Sequence, residues 1–229
     1  MEETISLPDW LVNLSVTFGG MAGALHGLRK RMDVFGTFLV GVIAAIGAGT
    51  IRDISLDRAP VWLYSSLIGF AVLGCIGGYL LGRLLRYLNR TIFLLDTLLI
   101  GVWVVLGAEL ALLFGLPPPS AVLMGVITAV GGGLVRDVLC RDSPTAFSPF
   151  QFEAAGAVIA STLFVVSDQV LPRGSAEALA IVSAATIRLL ALRYRWYSIS
   201  AVELSERLRG RRSEYDPATG TITVQGTLR

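Results

Sequence analysis

Charge is scarce in this sequence. Only 16% of its 229 residues are charged, against roughly 25% in an ordinary soluble domain, and that deficit argues against a soluble fold. Histidine occurs once and cysteine twice. No His/Cys metal cluster and no nucleophile-base constellation is visible, so no enzyme and no cofactor are expected. Cys75 and Cys140 fall in or beside apolar segments with no loop cysteines to pair, which leaves two small buried side chains rather than a disulfide framework. The formal net charge of +2 is too small to suggest a nucleic-acid partner. Met1-Glu2-Glu3-Thr4 lacks the basic region of a signal peptide, so the first apolar segment is expected to stay in the protein.

What the sequence has is apolar length. Hydrophobic residues make up 54% of the chain and the mean hydropathy is +0.69. Several runs reach or approach the ~20 residues that cross ~30 Å of hydrocarbon, where only helices or closed barrels satisfy the backbone. The runs are continuous rather than alternating, which selects helices. Seven spans are predicted: Trp10 to Leu28, Val34 to about Leu56, Val61 to Leu81, Ile92 to Gly115, Ser120 to Leu139, Phe150 to Leu171 and Ala176 to Leu192. The chain thus reads as an all-α polytopic membrane protein. Arg29, Lys30, Arg31, Arg83, Arg86, Arg90 and Arg141 follow the odd-numbered spans, and only Arg58 and Arg173 follow the second, fourth and sixth. The positive-inside rule then places the N-terminus outside and the C-terminus in the cytoplasm. Residues 1-195 form the membrane domain, and 196-229 a polar cytoplasmic tail with a short amphipathic helix around Ala201 to Leu208 and a turn at Asp216 to Gly220.

The sequence repeats itself at a shift of 84. Gly41, Ile43, Ala45, Gly47, Gly49, Arg52, Asp53 and Pro60 fall on Gly125, Ile127, Ala129, Gly131, Gly133, Arg136, Asp137 and Pro144, and Gly23-Ala24 falls on Gly107-Ala108. The first copy occupies 10-90 and the second 91-172, with the helix 176-192 outside the repeat. Three spans per copy is an odd number, so the second copy enters the membrane from the opposite side. Inverted repeats with interrupted helices in matching places point to a transport pathway between the halves.

The interruptions are Gly47-Ala48-Gly49 and Gly131-Gly132-Gly133. Glycine inside a helix costs roughly 0.5 to 1 kcal/mol against alanine. Either the clusters seat a close helix contact, or they mark a kink or unwound turn that turns carbonyls towards a polar cavity. Their symmetric placement, each with Arg-Asp three residues on, favours the break. An intramembrane charge costs at least about 2.5 to 3.5 kcal/mol, and neighbours at i and i+1 do not face each other on a helix. Arg52, Asp53, Arg136 and Asp137 are therefore expected either to form cross-repeat bridges, Arg52 to Asp137 and Arg136 to Asp53, or to anchor the helices at the interface. Thr50 and Thr128 offer hydroxyls to a permeating ion or else bond back to their own helix. Asp96 and Glu109 would attract cations at the two mouths if they are not simply solvated, and His26 is expected at the interface. Asn13 and Glu153 are further polar residues within spans. Gly19, Gly20 and Gly23 suit a close helix contact, between protomers or within one.

With these residues in place, the chain resembles the prokaryotic trimeric intracellular cation channels, the TRIC family. The seven-span plan, the 3+3 repeat and Gly131-Gly132-Gly133-Leu134-Val135-Arg136-Asp137 carry the resemblance over Trp10 to Leu192; the first copy departs in having Ala48 between its glycines. The resemblance implies a homotrimer in a prokaryotic inner membrane, each protomer conducting K⁺ and other monovalent cations through a pore lined by the second and fifth helices. It also implies that the glycine clusters and Arg-Asp pairs belong to that pore. The lysine-containing phosphoinositide site of the animal members has no counterpart here, leaving a different membrane lipid as partner. The alternative is a secondary transporter of a small solute such as an amino acid, since broken inverted repeats serve alternating access equally. A non-conducting scaffold leaves the paired intramembrane charges unexplained.

Overall fold

The computed structural model describes residues 7–85, 89–147, 152–194, 212–216 and 221–225. Seven helices run through the described residues: α1 (Asp9–Arg29), α2 (Val34–Ser55), α3 (Leu67–Leu85), α4 (Asn89–Leu113), α5 (Pro118–Leu139), α6 (Glu153–Ser167) and α7 (Arg173–Arg193). Four of them, α1, α2, α5 and α7, are long and apolar enough to cross a membrane, and α3, α4 and α6 contain shorter apolar stretches. The third span begins at Leu67 rather than Val61, because Pro60 ends the chain's descent and Val61–Leu63 form a separate 3-10 turn. The sixth is shorter than expected, its 15 residues spanning about 22 Å at 1.5 Å per residue. In the tail, β1 (Arg212–Asp216) pairs antiparallel with β2 (Thr221–Gln225), Arg212 opposite Gln225, so strands flank the expected turn. The expected helix at Ala201 to Leu208 lies outside the described residues.

The sequence repeat is also a repeat of local structure. The ends of α1 and α4 turn through left-handed residues at Arg31 (φ 56°) and Gly115 (φ 73°), those of α2 and α5 at Asp57 (φ 52°) and Arg141 (φ 56°). In each, the amide beyond the turn donates to a carbonyl five residues back: Met32 to Gly27, Leu116 to Ala111, Arg58 to Asp53 and Asp142 to Asp137, at 2.8 to 3.1 Å. This is the helix-terminating bond that satisfies an otherwise orphaned carbonyl. The 3-10 turns Val61–Leu63 and Thr145–Phe147 occupy matching positions. Asp33 starts α2 by accepting from the Gly36 amide at 2.7 Å, and Pro118 opens α5, where its missing N–H is not needed.

Small residues bring the backbones together. A Cβ on Gly20 would lie 2.3 Å from the Ala71 carbonyl, one on Gly74 2.0 Å from that of Thr17, and one on Gly23 2.8 Å from the Gly41 Cα. Gly19 meets Ala45 at 3.2 Å, so Gly19, Gly20 and Gly23 pack within the protomer. With no hydrophobic drive between helices in lipid, such close packing is what associates them. The core is centred on α4, where Val104, Val105, Leu106 and Leu110 are buried together with Phe164 from α6. The last helix, α7, presses its backbone onto Gly101 of α4. Ion pairs hold it: Arg173 with Glu109 at 3.6 Å and with Asp168 at 3.7 Å, and Arg188 with Glu153 at 3.6 Å.

Candidate functional site

The two Arg-Asp pairs are built alike. Arg52 places Nε 2.9 Å and Nη2 2.8 Å from Asp53 Oδ1, and Arg136 places both nitrogens 2.8 Å from Asp137 Oδ1. The second carboxylate oxygen takes the chain that follows: the Val61 amide donates to Asp53 Oδ2 at 2.9 Å, and the Thr145 amide and hydroxyl donate to Asp137 Oδ2 at 2.8 Å. Each aspartate thus ties its arginine to the 3-10 turn eight residues on. Asp53 and Asp137 are 1% and 0% exposed, and Arg52 6%.

The cross-repeat bridges Arg52 to Asp137 and Arg136 to Asp53 are not formed; each pair closes on itself. The i, i+1 rule describes the directions of Cβ atoms. Near a helix end a four-bond arginine stem reaches around to its neighbour, and the aspartate has turned off the helix face to bind the next segment.

No unwound turn occurs at the glycine clusters. Gly47, Gly49, Gly131, Gly132 and Gly133 all lie within unbroken α2 and α5, so the unwound turn is corrected to continuous helix, and close packing accounts for Gly131 and Gly132. Gly131 and Gly132 seat α5 on Ala48 and Ala44, where added Cβ atoms would come within 3.1 and 2.5 Å, while Gly47 faces Val135. A Cβ added to Gly49 or Gly133 would lie 3.8 or 3.7 Å from Nη2 of the arginine three residues later, an ordinary contact distance. Long helical side chains fold back towards the N-terminus, which is what lays each guanidinium over its glycine.

The hydroxyls are already engaged. Thr50 donates to the Ile46 carbonyl at 2.8 Å and accepts from Trp62 Nε1 at 2.9 Å; Thr128 donates to the Met124 carbonyl at 2.8 Å and is buried against Gly107. Back-bonding is thus what both threonines do. Glu109 is not at a mouth: it is fully buried and paired with Arg173. The Asp96 side chain lies outside the described residues. His26 sits at the end of α1, its Nε2 2.7 Å from Asp142 Oδ2, and Lys30 binds the other oxygen of the same carboxylate.

A cavity of about 370 Å³ opens between α1, α2 and the Trp62 turn of the first repeat and α4 of the second. Asp9, Asn13, Gly49, Arg52, Trp62 and Trp103 contribute to its wall. Sequence reasoning singled out Arg52, Gly49 and Asn13 but missed Asp9 and the two tryptophans. The only signal for Trp62 was its place two residues after Pro60, and long-range proximity brings Trp103 in. At the matching place in the second repeat the counterpart of Trp62 is Ala146, which is buried in an apolar cluster.

The Asp142 carboxyl is held below the usual carboxylate range by its hydrogen bond from Lys30 and then by that from His26. Its lowered pKa stabilises the fold fully above the unfolded value of about 3.9, and that contribution is lost as pH falls through the folded value. Asp142→Asn is expected to lower the unfolding temperature modestly at pH 7, as suits an exposed pair, and to converge with wild type below about pH 4, which flattens the acid limb of its profile. An unchanged acid limb would remove Asp142 from the α1–α5 contact. Among the described residues no group of three or more His, Cys, Asp or Glu is placed to hold a metal ion.

Seven helices with apolar stretches, packed through small residues, make this a multi-pass helical membrane protein with the fold of the TRIC cation channels. A TRIC channel solved to give the structural basis for conductance superimposes with a TM-score of 0.76 at 26% identity, covering 83% of this chain and 95% of that one. The TRIC orthologue from Rhodobacter sphaeroides gives 0.75 at 29% identity, with 81% and 96% covered. The family described as Glycine transporter matches at residues 9–83 and 93–169. A UPF0126 membrane protein of Deinococcus radiodurans is 31% identical over 69% of this chain and 86% of its own length, and the Escherichia coli inner membrane protein YadS is 32% identical over 81% and 91%. The chain belongs to this UPF0126, or glycine transporter, family of membrane proteins.

Proposed function

We propose that the protein is a cation channel that conducts K⁺ and other monovalent cations within each protomer, along α2 and α5. The observation that carries this reading is the likeness to TRIC cation channels over 95% of their chain. Two contacts support an inverted relation between the repeats. The end of α5 meets the end of α1 through Asp142 with His26 and Lys30. The loop after α2 meets the end of α4 where the Arg58 guanidinium lies 5.7 Å over the Phe114 ring. Positions 58 and 142 correspond under the repeat, as do 30 and 114, so the two contacts are one contact made twice.

Arginine beside a cation path is tolerable because each guanidinium already holds a carboxylate within 2.9 Å, which cancels most of a repulsion otherwise worth several kcal/mol at low effective dielectric. With the helical carbonyls engaged, the pathway relies on side chains and water rather than on opened backbone. The likeness to channels called trimeric supports a homotrimer, and the arginine distribution supports an inner-membrane topology with the N-terminus outside. Residues 1-195 would carry conduction, and 196-229 lie in the cytoplasm.

Purified protein in planar bilayers under a KCl gradient is expected to show unitary currents reversing near the K⁺ potential; reversal at the chloride potential overturns the cation assignment. The family description favours a second reading, a secondary transporter of glycine or a similar solute. That reading requires saturable glycine exchange in proteoliposomes and no unitary currents.

A further inference from the structure

The cavity beside α2 has a wall that none of the cation chemistry requires. Arg52 is 6% exposed and lines it. Its Nε and Nη2 are spent on Asp53 Oδ1, which leaves the Nη1 amino group without a protein partner among the described residues. Asp53 also lines the cavity, with both oxygens engaged, Oδ1 by the Arg52 guanidinium and Oδ2 by the Val61 amide. What this neutral pair offers the cavity is the remaining guanidinium donor, suited to a carboxylate, which guanidinium recognises by charge-assisted hydrogen bonds. The same cavity carries Asp9, an exposed carboxylate at the start of α1, and the rings of Trp62 and Trp103. A carboxylate and aromatic faces together suit an ammonium group. The rest of the wall is apolar, with Val12, Val16, Ile46 and Leu106.

Volume decides the size of the occupant. About 370 Å³ lies in the range of small-molecule sites, roughly 300–1,000 Å³, and is far more than the ~30 Å³ share of one water. A bare cation or a lone glycine would leave the apolar wall facing water. We propose that this cavity binds a free α-amino acid with a compact apolar side chain, its carboxylate on the Arg52 guanidinium and its ammonium at Asp9 and the tryptophan faces. The proposal concerns binding and holds whether the occupant is carried across the membrane or only held.

The test is calorimetric titration of the full chain in detergent with L-valine, with glycine, and with the two halves of valine, 3-methylbutyrate and isobutylamine. Valine is expected to bind at least about tenfold more tightly than either half, since loss of a charge-assisted hydrogen bond at a binding site costs about tenfold or more, and at least about tenfold more tightly than glycine, which has no isopropyl group to bury against the apolar wall. Arg52→Lys should weaken valine at least about tenfold by losing the planar fork. Asp9→Asn, on an exposed residue, should remove the preference for valine over 3-methylbutyrate. Thermal unfolding in the same micelles checks that each variant is folded. No heat with valine on folded wild-type protein, or equal affinity in both variants, overturns the site. A stoichiometric phospholipid that valine does not displace overturns it too and gives the cavity to lipid. None of these results bears on the bilayer currents, so the channel reading stands or falls separately.

Discussion

Asp53→Ala is expected to destabilise the protein by about 3–5 kcal/mol, the cost of leaving one member of a buried ion pair alone. The reasons are local. Asp53 is 1% exposed and Arg52 6%, so the lost carboxylate is replaced at best by the little water the cavity brings to one side of the guanidinium, and the Val61 amide loses its acceptor as well. Asp53→Asn should cost less, because an amide oxygen still accepts from Val61. The double variant Arg52→Leu with Asp53→Asn should recover most of the loss, since removing both charges removes the unpaired one. Asp137→Ala should cost somewhat less than Asp53→Ala, because the Arg136 side chain is 18% exposed and retains some hydration. Denaturation in detergent micelles with all four variants gives the ordering. A loss below about 1 kcal/mol for Asp53→Ala, the size of an exposed pair, would mean that water reaches the pair. Folded Asp137→Asn also separates structure from conduction: unaltered currents would leave the ion pairs a structural role only.

Gly74→Ala is expected to cost about 3 kcal/mol, the upper part of the usual range for overpacking. The added Cβ would lie 2.0 Å from the Thr17 carbonyl oxygen and 2.8 Å from its carbon. The obstacle is backbone in the middle of α1, which has no rotamer to change, so α1 and α3 must separate. Gly77, one turn further along the same helix, has nothing within 4 Å of an added Cβ. Gly77→Ala should therefore be neutral or stabilising by up to ~1 kcal/mol, the helix-propensity difference alone. Equal unfolding midpoints for the two variants would show that α1 and α3 are not in backbone contact. The pair makes an internal control, since composition and helix are shared and only the facing surface differs.

Much of the architecture was legible in the sequence for a simple reason. Each transmembrane helix satisfies its backbone alone, so its existence follows from a local property, the run of apolar residues. The repeat was legible because Arg-Asp, glycine and proline recur at one spacing, and the structure answers with matched helix ends at Asp57 and Arg141. The short start of α3 was not legible, because Val61 to Leu63 are as apolar as any span. Pro60 before them and the hydrogen bond from the Val61 amide to Asp53 hold them in a separate turn.

The site was legible by residue and not by partner. Sequence marked Arg52, Asp53, Arg136 and Asp137 as charges that need partners, and they have them, but it chose the opposite repeat where the neighbour on the same helix serves. It marked Gly131 and Gly132 as special but read a break where Ala44 and Ala48 supply a close contact. It could not find the cavity, whose wall joins Asp9, Trp62 and Trp103 across almost a hundred residues of chain.

By itself, then, the sequence determined that this chain lives in a membrane as helices, that it is duplicated, and which residues carry its buried charge. Those are matters of transfer free energy and of identity at fixed spacing, and both can be read along a line. The tertiary structure alone decided which oxygen each guanidinium holds, which backbone each glycine touches and where space remains unfilled. These depend on distances between segments far apart in the chain, where charges of equal sign and reach compete and only packing selects among them.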